Sequence, residues 1–323
     1  MGYLSAMRKI EKREGSSSLF ELMEVVPAVF YDVDAVELVT ADARPGYTRH
    51  VRGFANDMLE INRLSSVSSD TESELLRHRL MTDIIIKIDS HLADNLLIFS
   101  KEELSVRGGA TDHETQLLMG RIGDLFSEAL HNRLGALTLL PNASVFEAAA
   151  ESAEKEFVEG SKEFSMILAD IDDLKSLNHN HSYAAGDSVL AEVADRFRNT
   201  LADLGYKGSV VFRPGKSKFI HGLRDDKEAG ANPALKHDEF VVLLPQPVEK
   251  AAKIAKQMSS SVADTPFEFE IPLQGGDYAT CSFGMVGSSD VAAEGGRVWR
   301  KMLDMCVFQL NAAKRQGGNQ IVY

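Results

Sequence analysis

Between Leu75 and Leu96 apolar residues return every three or four positions: Leu75, Leu76, Leu80, Ile84, Ile88, Leu92 and Leu96. That spacing draws one apolar stripe along an α-helix, and Thr71 followed by Glu74 fits a capping box at its start. The first third of the chain therefore reads as mainly helical, with irregular sequence from Pro27 to Tyr47 and one strand expected at Ala35–Thr40. Arg107-Gly108-Gly109 interrupts the pattern, and a new helix is expected after Thr111 or Asp112. Within it Leu118, Ile122, Leu125 and Ala129 step by four, three and four, which suits either a short coiled-coil seam or a plain amphipathic helix.

From Phe164 the period changes. Strands are expected at Phe164–Ala169, Ser209–Phe212, Phe240–Leu244, Tyr278–Val286 and Gln320–Tyr323, and helices at Ala184–Leu204, Val248–Val262 and Val298–Arg315. The order βαββαβ with an extra strand predicts an α+β domain, an antiparallel sheet flanked by helices in the ferredoxin-like or palm-type manner.

Composition narrows this picture without changing it. Of the 323 residues 44% are hydrophobic, enough for two modest domains with cores of their own. A formal net charge of −13 argues against general affinity for nucleic acid or an anionic membrane surface, since both need a basic face. Cys281 and Cys306 stand in no metal-ligand or redox spacing, so a reducing cytoplasm is the expected compartment. The stretch from Met1 to Ser18 has no apolar h-region, and no long uncharged apolar run occurs, so no membrane span is expected. His50, His78, His91, His113 and His131 show no metal spacing, and the signal received by the N-terminal region is not legible.

Two acidic pairs carry the candidate chemistry. Asp170 and Asp172 end the strand beginning at Phe164, where one could reach an open site and the other a structural partner. Asp238-Glu239 begins an apolar strand, and if the two strands are antiparallel neighbours, Asp170 and Asp238 approach each other. Such an oxygen-rich site suits Mg²⁺ when a triphosphate supplies the other ligands. Taken singly, these residues read equally as solvated strand ends. Asn178 equally fits a turn, Asp187 a helix cap, and Lys175 and Lys314 ordinary surface lysines.

The order of motifs is more specific. The segment FSMILADIDDLKSLNHNHSYAAGDSVL from Phe164 to Leu190 resembles the GGDEF-domain run of strand, acidic turn, lysine, asparagine and a GD that opens the next helix. DEFVVLLP from Asp238, TCSFGMV from Thr280 and AAKRQGGNQIVY from Ala312 resemble later family segments in the family's order, and LTLLPN from Leu137 its opening turn. The resemblance covers 135–323, leaving 1–110 as a mainly helical regulatory domain and 111–134 as a connecting signalling helix.

This resemblance implies a diguanylate cyclase, joining two GTP into cyclic di-GMP with release of pyrophosphate, and working as a homodimer with Mg²⁺ or Mn²⁺. It implies Asp170 and the Ile171 carbonyl as metal ligands, and Asp238 as a further ligand and proton acceptor with Glu239 in support. Asn178 and Asp187 would read guanine, and Lys175 and Lys314 would neutralise the triphosphate. The sequence also departs from the family. Lys236 and His237 replace the two glycines before DEF, and Gly215 is aligned as the first of them, with 216–237 inserted at a hairpin tip. Leu139 stands where glycine is common and Gly318 where an arginine is expected. The inhibitory RxxD motif of many family members is absent, so product feedback through it is not expected. These departures keep a second function open: a catalytically impaired domain that binds GTP or a cyclic dinucleotide and signals through protein contacts.

Overall fold

The computed structural model describes residues 2–14, 19–31, 33, 35–41, 47–54, 59–65, 82–90, 93–100, 105–135, 137–160, 162–206, 210–215, 238–267, 279–291 and 297–323. The chain forms two compact units, Met1–Leu139 and Leu140–Tyr323.

The N-terminal unit begins with helices α1 (Gly2–Glu11), α2 (Leu19–Met23) and α3 (Val25–Val29) and closes with α4 (Asp112–Asn132). Between them lie β1 (Ala35–Ala41), β2 (Tyr47–Phe54), β3 (Leu59–Ser65), β4 (Thr82–Ser90) and β5 (Ala93–Ser100), in one sheet of order β3-β2-β1-β5-β4. β1 confirms the strand expected at Ala35. The helix expected over Leu75–Leu96 is corrected: Thr82–Ser90 and Ala93–Ser100 are antiparallel strands, Ile86 opposite Leu96. The stretch also contains Ile84, Ile85, Ile86 and Ile88, β-branched residues that favour a pleated strand over a helix. Thr71 and Glu74 lie outside the described residues.

Helix α4 begins as expected. The Thr111 side chain accepts from Glu114 N, while Glu114 accepts from Thr111 N at 2.8 Å, a reciprocal capping box. Thr111 holds the Glu114 carboxyl below its usual range by hydrogen bonding to its charged form. Leu118, Ile122, Leu125 and Ala129 are all buried, and α4 packs against α1 and β4 of its own unit. The stripe is thus the apolar face of an amphipathic helix.

The C-terminal unit starts with α5 (Ala143–Gly160), an element the sequence reading did not anticipate. It continues through β6 (Ser165–Ile171), α6 (Leu174–Asn180), α7 (Tyr183–Asp203), β7 (Val211–Phe212), β8 (Glu239–Leu244), α8 (Val248–Ala263), β9 (Cys281–Gly287), α9 (Ser288–Val291), α10 (Val298–Arg315) and β10 (Ile321–Val322). The sheet order is β10-β9-β6-β8-β7. It is antiparallel as expected, except that β10 joins β9 in parallel.

Strand β6 is central and wholly buried, so its side chains alternate between two covered faces. Met166 and Leu168, with Val241 and Leu243 of β8, join a core containing Phe146 of α5 and Trp299, Cys306 and Leu310 of α10. On the other face Phe197 of α7 meets Phe240 and Phe283 edge-on or tilted, with ring centroids 5.5 and 6.0 Å apart. Each fully buried large side chain contributes roughly 1.5–3 kcal/mol.

Two features fix α10 on the sheet. A Cβ added at Gly284 of β9 would lie 2.2 Å from the Cys306 carbonyl oxygen and 2.4 Å from Leu310 N, so glycine lets helix backbone approach strand backbone. Glu154 of α5 accepts from Val298 N (3.1 Å) and Trp299 N (3.4 Å), satisfying free amides at the α10 N-terminus and placing a negative charge there.

Candidate functional site

The β6 ladder carries its polar residues to one end of the sheet. Asp170 pairs in register with Glu239 on one side and Ser282 on the other. Directly opposed residues share a face, with Cβ atoms roughly 4.5–5.5 Å apart. Asp170 and Glu239 are 1% and 4% exposed, so two carboxylates are held side by side away from water. Like charges so placed repel. The Lys314 ammonium from the last turn of α10 offsets this, 2.6 Å from Asp170 Oδ2. Ile171 is buried at the end of the same strand, opposite Cys281. Asp238 is partly exposed immediately before β8.

Asp172 shares the face of Asp170, being two residues further along. It is the structural partner of the acidic pair. Thr280 Oγ donates to it at 2.7 Å, Ser282 Oγ at 2.6 Å and Asn319 N at 2.8 Å. The turn it grips, Gly317-Gly318-Asn319, has φ of 107°, 76° and 51°. A Cβ on Gly318 would stand 3.1 Å from the Asp172 carboxylate. Glycine at 318, where the resemblance expects an arginine, therefore suits both the backbone and the contact with Asp172.

The other expected residues lie on α6 and α7. Asn178 of α6 lies over Gly186 in the first turn of α7, and its Oδ1 is buried without a hydrogen-bond partner among the described residues. Asp187 follows Gly186. Burial of its surroundings raises its carboxyl above the usual aspartate range, and the Arg213 charge acts in the opposite direction. Ser182 caps α7 by accepting from Ala185 N at 3.1 Å, so Asp187 is not used as the cap. Lys175 is exposed on α6.

One residue escaped the sequence reading. Arg213 follows β7 and anchors its backbone by donating from N to Pro141 O at 2.9 Å. Burial lowers the affinity of its guanidinium for its proton, while the carboxylates of Asp187 and Asp238 raise it. It thus sits in the field of both expected functional carboxylates. Its signal in the sequence was its position at the end of the strand that pairs with β8.

β7 meets β8 with Val211 opposite Val242 and Phe212 opposite Val241. Gly215 has φ of 61°. The divergent pair Lys236-His237 and the proposed insertion 216–237 lie outside the described residues. Leu139 takes φ of 52°, the left-handed conformation that explains why glycine is common there.

A divalent cation fits this donor set in one respect. Asp170 and Glu239 offer hard oxygens from adjacent strands, with Asp238 next in sequence, and Mg²⁺ is commonly held by one or two carboxylates with phosphates and water completing the shell. Among the described residues no group of three His, Cys, Asp or Glu side chains is arranged to hold a metal by itself. Among the same residues no helix is long and apolar enough to cross a membrane.

Comparison with known proteins bears mainly on the C-terminal unit. Residues 134–237 match the family model described as diguanylate cyclase, GGDEF domain. The diguanylate cyclase DgcM of Escherichia coli is 28% identical over 144 residues, covering 44% of this chain and 28% of that protein. The bifunctional diguanylate cyclase/cyclic di-GMP phosphodiesterase MucR of Pseudomonas aeruginosa is 32% identical over 88 residues, 25% of this chain and 12% of that protein. The chain thus matches less than a third of the length of these relatives. Among solved structures, the diguanylate cyclase SiaD from Pseudomonas aeruginosa, in complex with its activator SiaC, aligns at 18% identity and TM-score 0.47 over 65% of this chain and 68% of that one. Residues 134–237, most of them in the C-terminal unit, thus carry a match to the GGDEF domain.

Proposed function

We propose that the C-terminal unit is one half-site of a diguanylate cyclase, holding one GTP and reacting with a GTP held by a second copy of the chain. The observation that carries this reading is the buried Asn178 Oδ1, unpartnered among the described residues and lying over Gly186, the residue before Asp187. An acceptor amide and a carboxylate suit the N–H edge of guanine, whereas adenine offers no such pair of donors. The buried carboxylates Asp170 and Glu239, with Lys314, form the pole at which the triphosphate would lie.

In each half-reaction the 3′-hydroxyl oxygen of one GTP forms a bond to the α-phosphorus of the other. The bond from that phosphorus to the pyrophosphate oxygen breaks, and Asp238 accepts the hydroxyl proton. Two such steps close the ring and release two pyrophosphates. A bound Mg²⁺ or Mn²⁺, held by Asp170, the Ile171 carbonyl and Asp238 with Glu239 in support, would supply Lewis-acid neutralisation of phosphate charge. Asn178 and Asp187 orient the base, and Lys175 and Lys314 balance charge on the triphosphate. Arg213 places a positive charge in the field of the Asp187 and Asp238 carboxylates. The N-terminal unit, with α4 ending it, regulates the encounter of two half-sites in response to its signal.

The second reading is a domain that binds GTP or a cyclic dinucleotide without turnover, favoured by Lys236 and His237 in place of two glycines. Purified protein incubated with GTP and Mg²⁺ distinguishes them by chromatography. The cyclase reading expects cyclic di-GMP and pyrophosphate in a ratio of about one to two, by the stoichiometry of two displacements. GTP bound but unconsumed by folded, self-associated protein supports the second reading instead.

A further inference from the structure

The carboxylate pair is already matched by a cation that belongs to the chain. Asp170 and Glu239 face each other across β6 and β8, both nearly inaccessible, and Lys314 closes on Asp170 at 2.6 Å while remaining 31% exposed. The contact gives Lys314 a partner within the protein itself, a charge-assisted hydrogen bond to Asp170. A lysine placed to neutralise a metal site between visits of the metal would need it, because two buried like charges are unfavourable without a counter-ion.

The surroundings of Lys314 fix that position. Helix α10 is held at its start by Glu154 and against β9 by the backbone approach at Gly284. Beyond its last turn, Asp172 grips Asn319 N and joins the turn to Thr280, just before β9, and to Ser282 within it. The clamp leaves the long lysine stem as the mobile part, able to release Asp170 without moving the helix.

We infer that Lys314 is a resident counter-ion for the Asp170–Glu239 pair, that it competes with a divalent cation for Asp170, and that it turns to the nucleotide phosphates when the cation enters. This deepens the proposed function, since it rests on reading the carboxylate pair as a divalent-cation site. Asp172 acts as a positioning residue, holding the end of α10 so that one ammonium serves both roles.

The test uses free Mn²⁺ without nucleotide, so it is independent of turnover. Binding to the full chain is followed by electron paramagnetic resonance for the wild type and Lys314→Met. Removing the competing cation is expected to tighten Mn²⁺ binding about tenfold, within the usual span of coupled sites. Over the same change the affinity for GTP is expected to fall. Weaker or unchanged Mn²⁺ binding by folded Lys314→Met would overturn the inference and leave the lysine a phosphate contact only. Should that variant fail to fold, the wild type with isotopically methylated lysines answers the question by NMR. Addition of Mg²⁺ alone is expected to shift the Lys314 resonance, and a resonance that stays in place overturns the inference equally. Failure to make cyclic di-GMP leaves both readouts intact and bears on the proposed function alone.

Discussion

Gly186→Ala separates nucleotide recognition from folding. The added methyl group would lie 1.8 Å from Asn178 Oδ1, 2.7 Å from its Cγ and 3.1 Å from its Nδ2. All three atoms belong to a side chain able to swing outward, so the clash displaces the amide and leaves the backbone of α7 in place. In the folding balance, alanine in a helix is favoured over glycine by roughly 0.5–1 kcal/mol. Moving the unpartnered Oδ1 toward solvent also removes the penalty of a buried, unsatisfied acceptor. The variant is therefore expected to melt at or above the wild-type temperature. In the binding balance, the amide would lose its proposed contacts with the base. Two neutral hydrogen bonds at about 1 kcal/mol each amount to about 2 kcal/mol, or roughly a 30-fold weaker GTP affinity. Fluorescent-nucleotide titration and thermal unfolding on the same preparations measure both. GTP affinity within threefold of wild type, in a folded variant, would refute the placement of Asn178 on the base.

The remaining predictions concern packing, electrostatics and the turn at Asp172. Gly284→Ala places a methyl 2.2 Å from helix backbone that cannot swing away. It should lose about 3 kcal/mol or more of stability by denaturant titration, the upper range for overpacked sites, and a wild-type midpoint would contradict the close approach of α10. Asp187→Asn should raise stability at neutral pH. The folded Asp187 pKa is raised, chiefly by burial, so its contribution is fully present below the unfolded pKa and is lost as pH rises through the folded value. The gain should accordingly vanish at low pH, and a gain independent of pH would show that charge is not its cause. GTP binding by the wild type should weaken as pH falls through that raised value. Asp172→Asn disrupts a carboxylate accepting from Thr280, Ser282 and Asn319. A loss of about 2–3 kcal/mol is expected by thermal unfolding, since hydrogen bonds to a charged group exceed neutral ones.

The architecture of the C-terminal unit is legible because β6 and β8 are largely apolar runs, β9 alternates, and α7, α8 and α10 are amphipathic over long spans. Val298–Arg315 was read to the residue. In the N-terminal unit, Leu75 to Leu96 satisfied a helical spacing that a β-rich stretch around Ile84–Ile88 also tolerates. Pairing with β1 and β5 decides the matter, and pairing is a tertiary fact that period alone does not encode. Motif order singles out the candidate residues, but several of the contacts they make in the fold are not legible in the sequence. Asp172 meets partners more than a hundred positions away. Glu154 caps a helix beginning at Val298, and Arg213 lies in the field of Asp187 and Asp238 only because the chain returns past α7.

The central claim is that the C-terminal unit holds one guanine nucleotide between Asn178–Asp187 and Asp170–Glu239. Isothermal titration with 3′-deoxy-GTP and Mg²⁺ tests it without turnover, because the attacking hydroxyl is missing. The account predicts one site per chain for the guanine nucleotide, and for 3′-deoxy-ATP binding weaker by about 1–3 kcal/mol, the discrimination expected of a good bidentate polar contact. Equal affinity for the two bases, or binding undiminished in Asn178→Ala and Asp187→Ala, would contradict it.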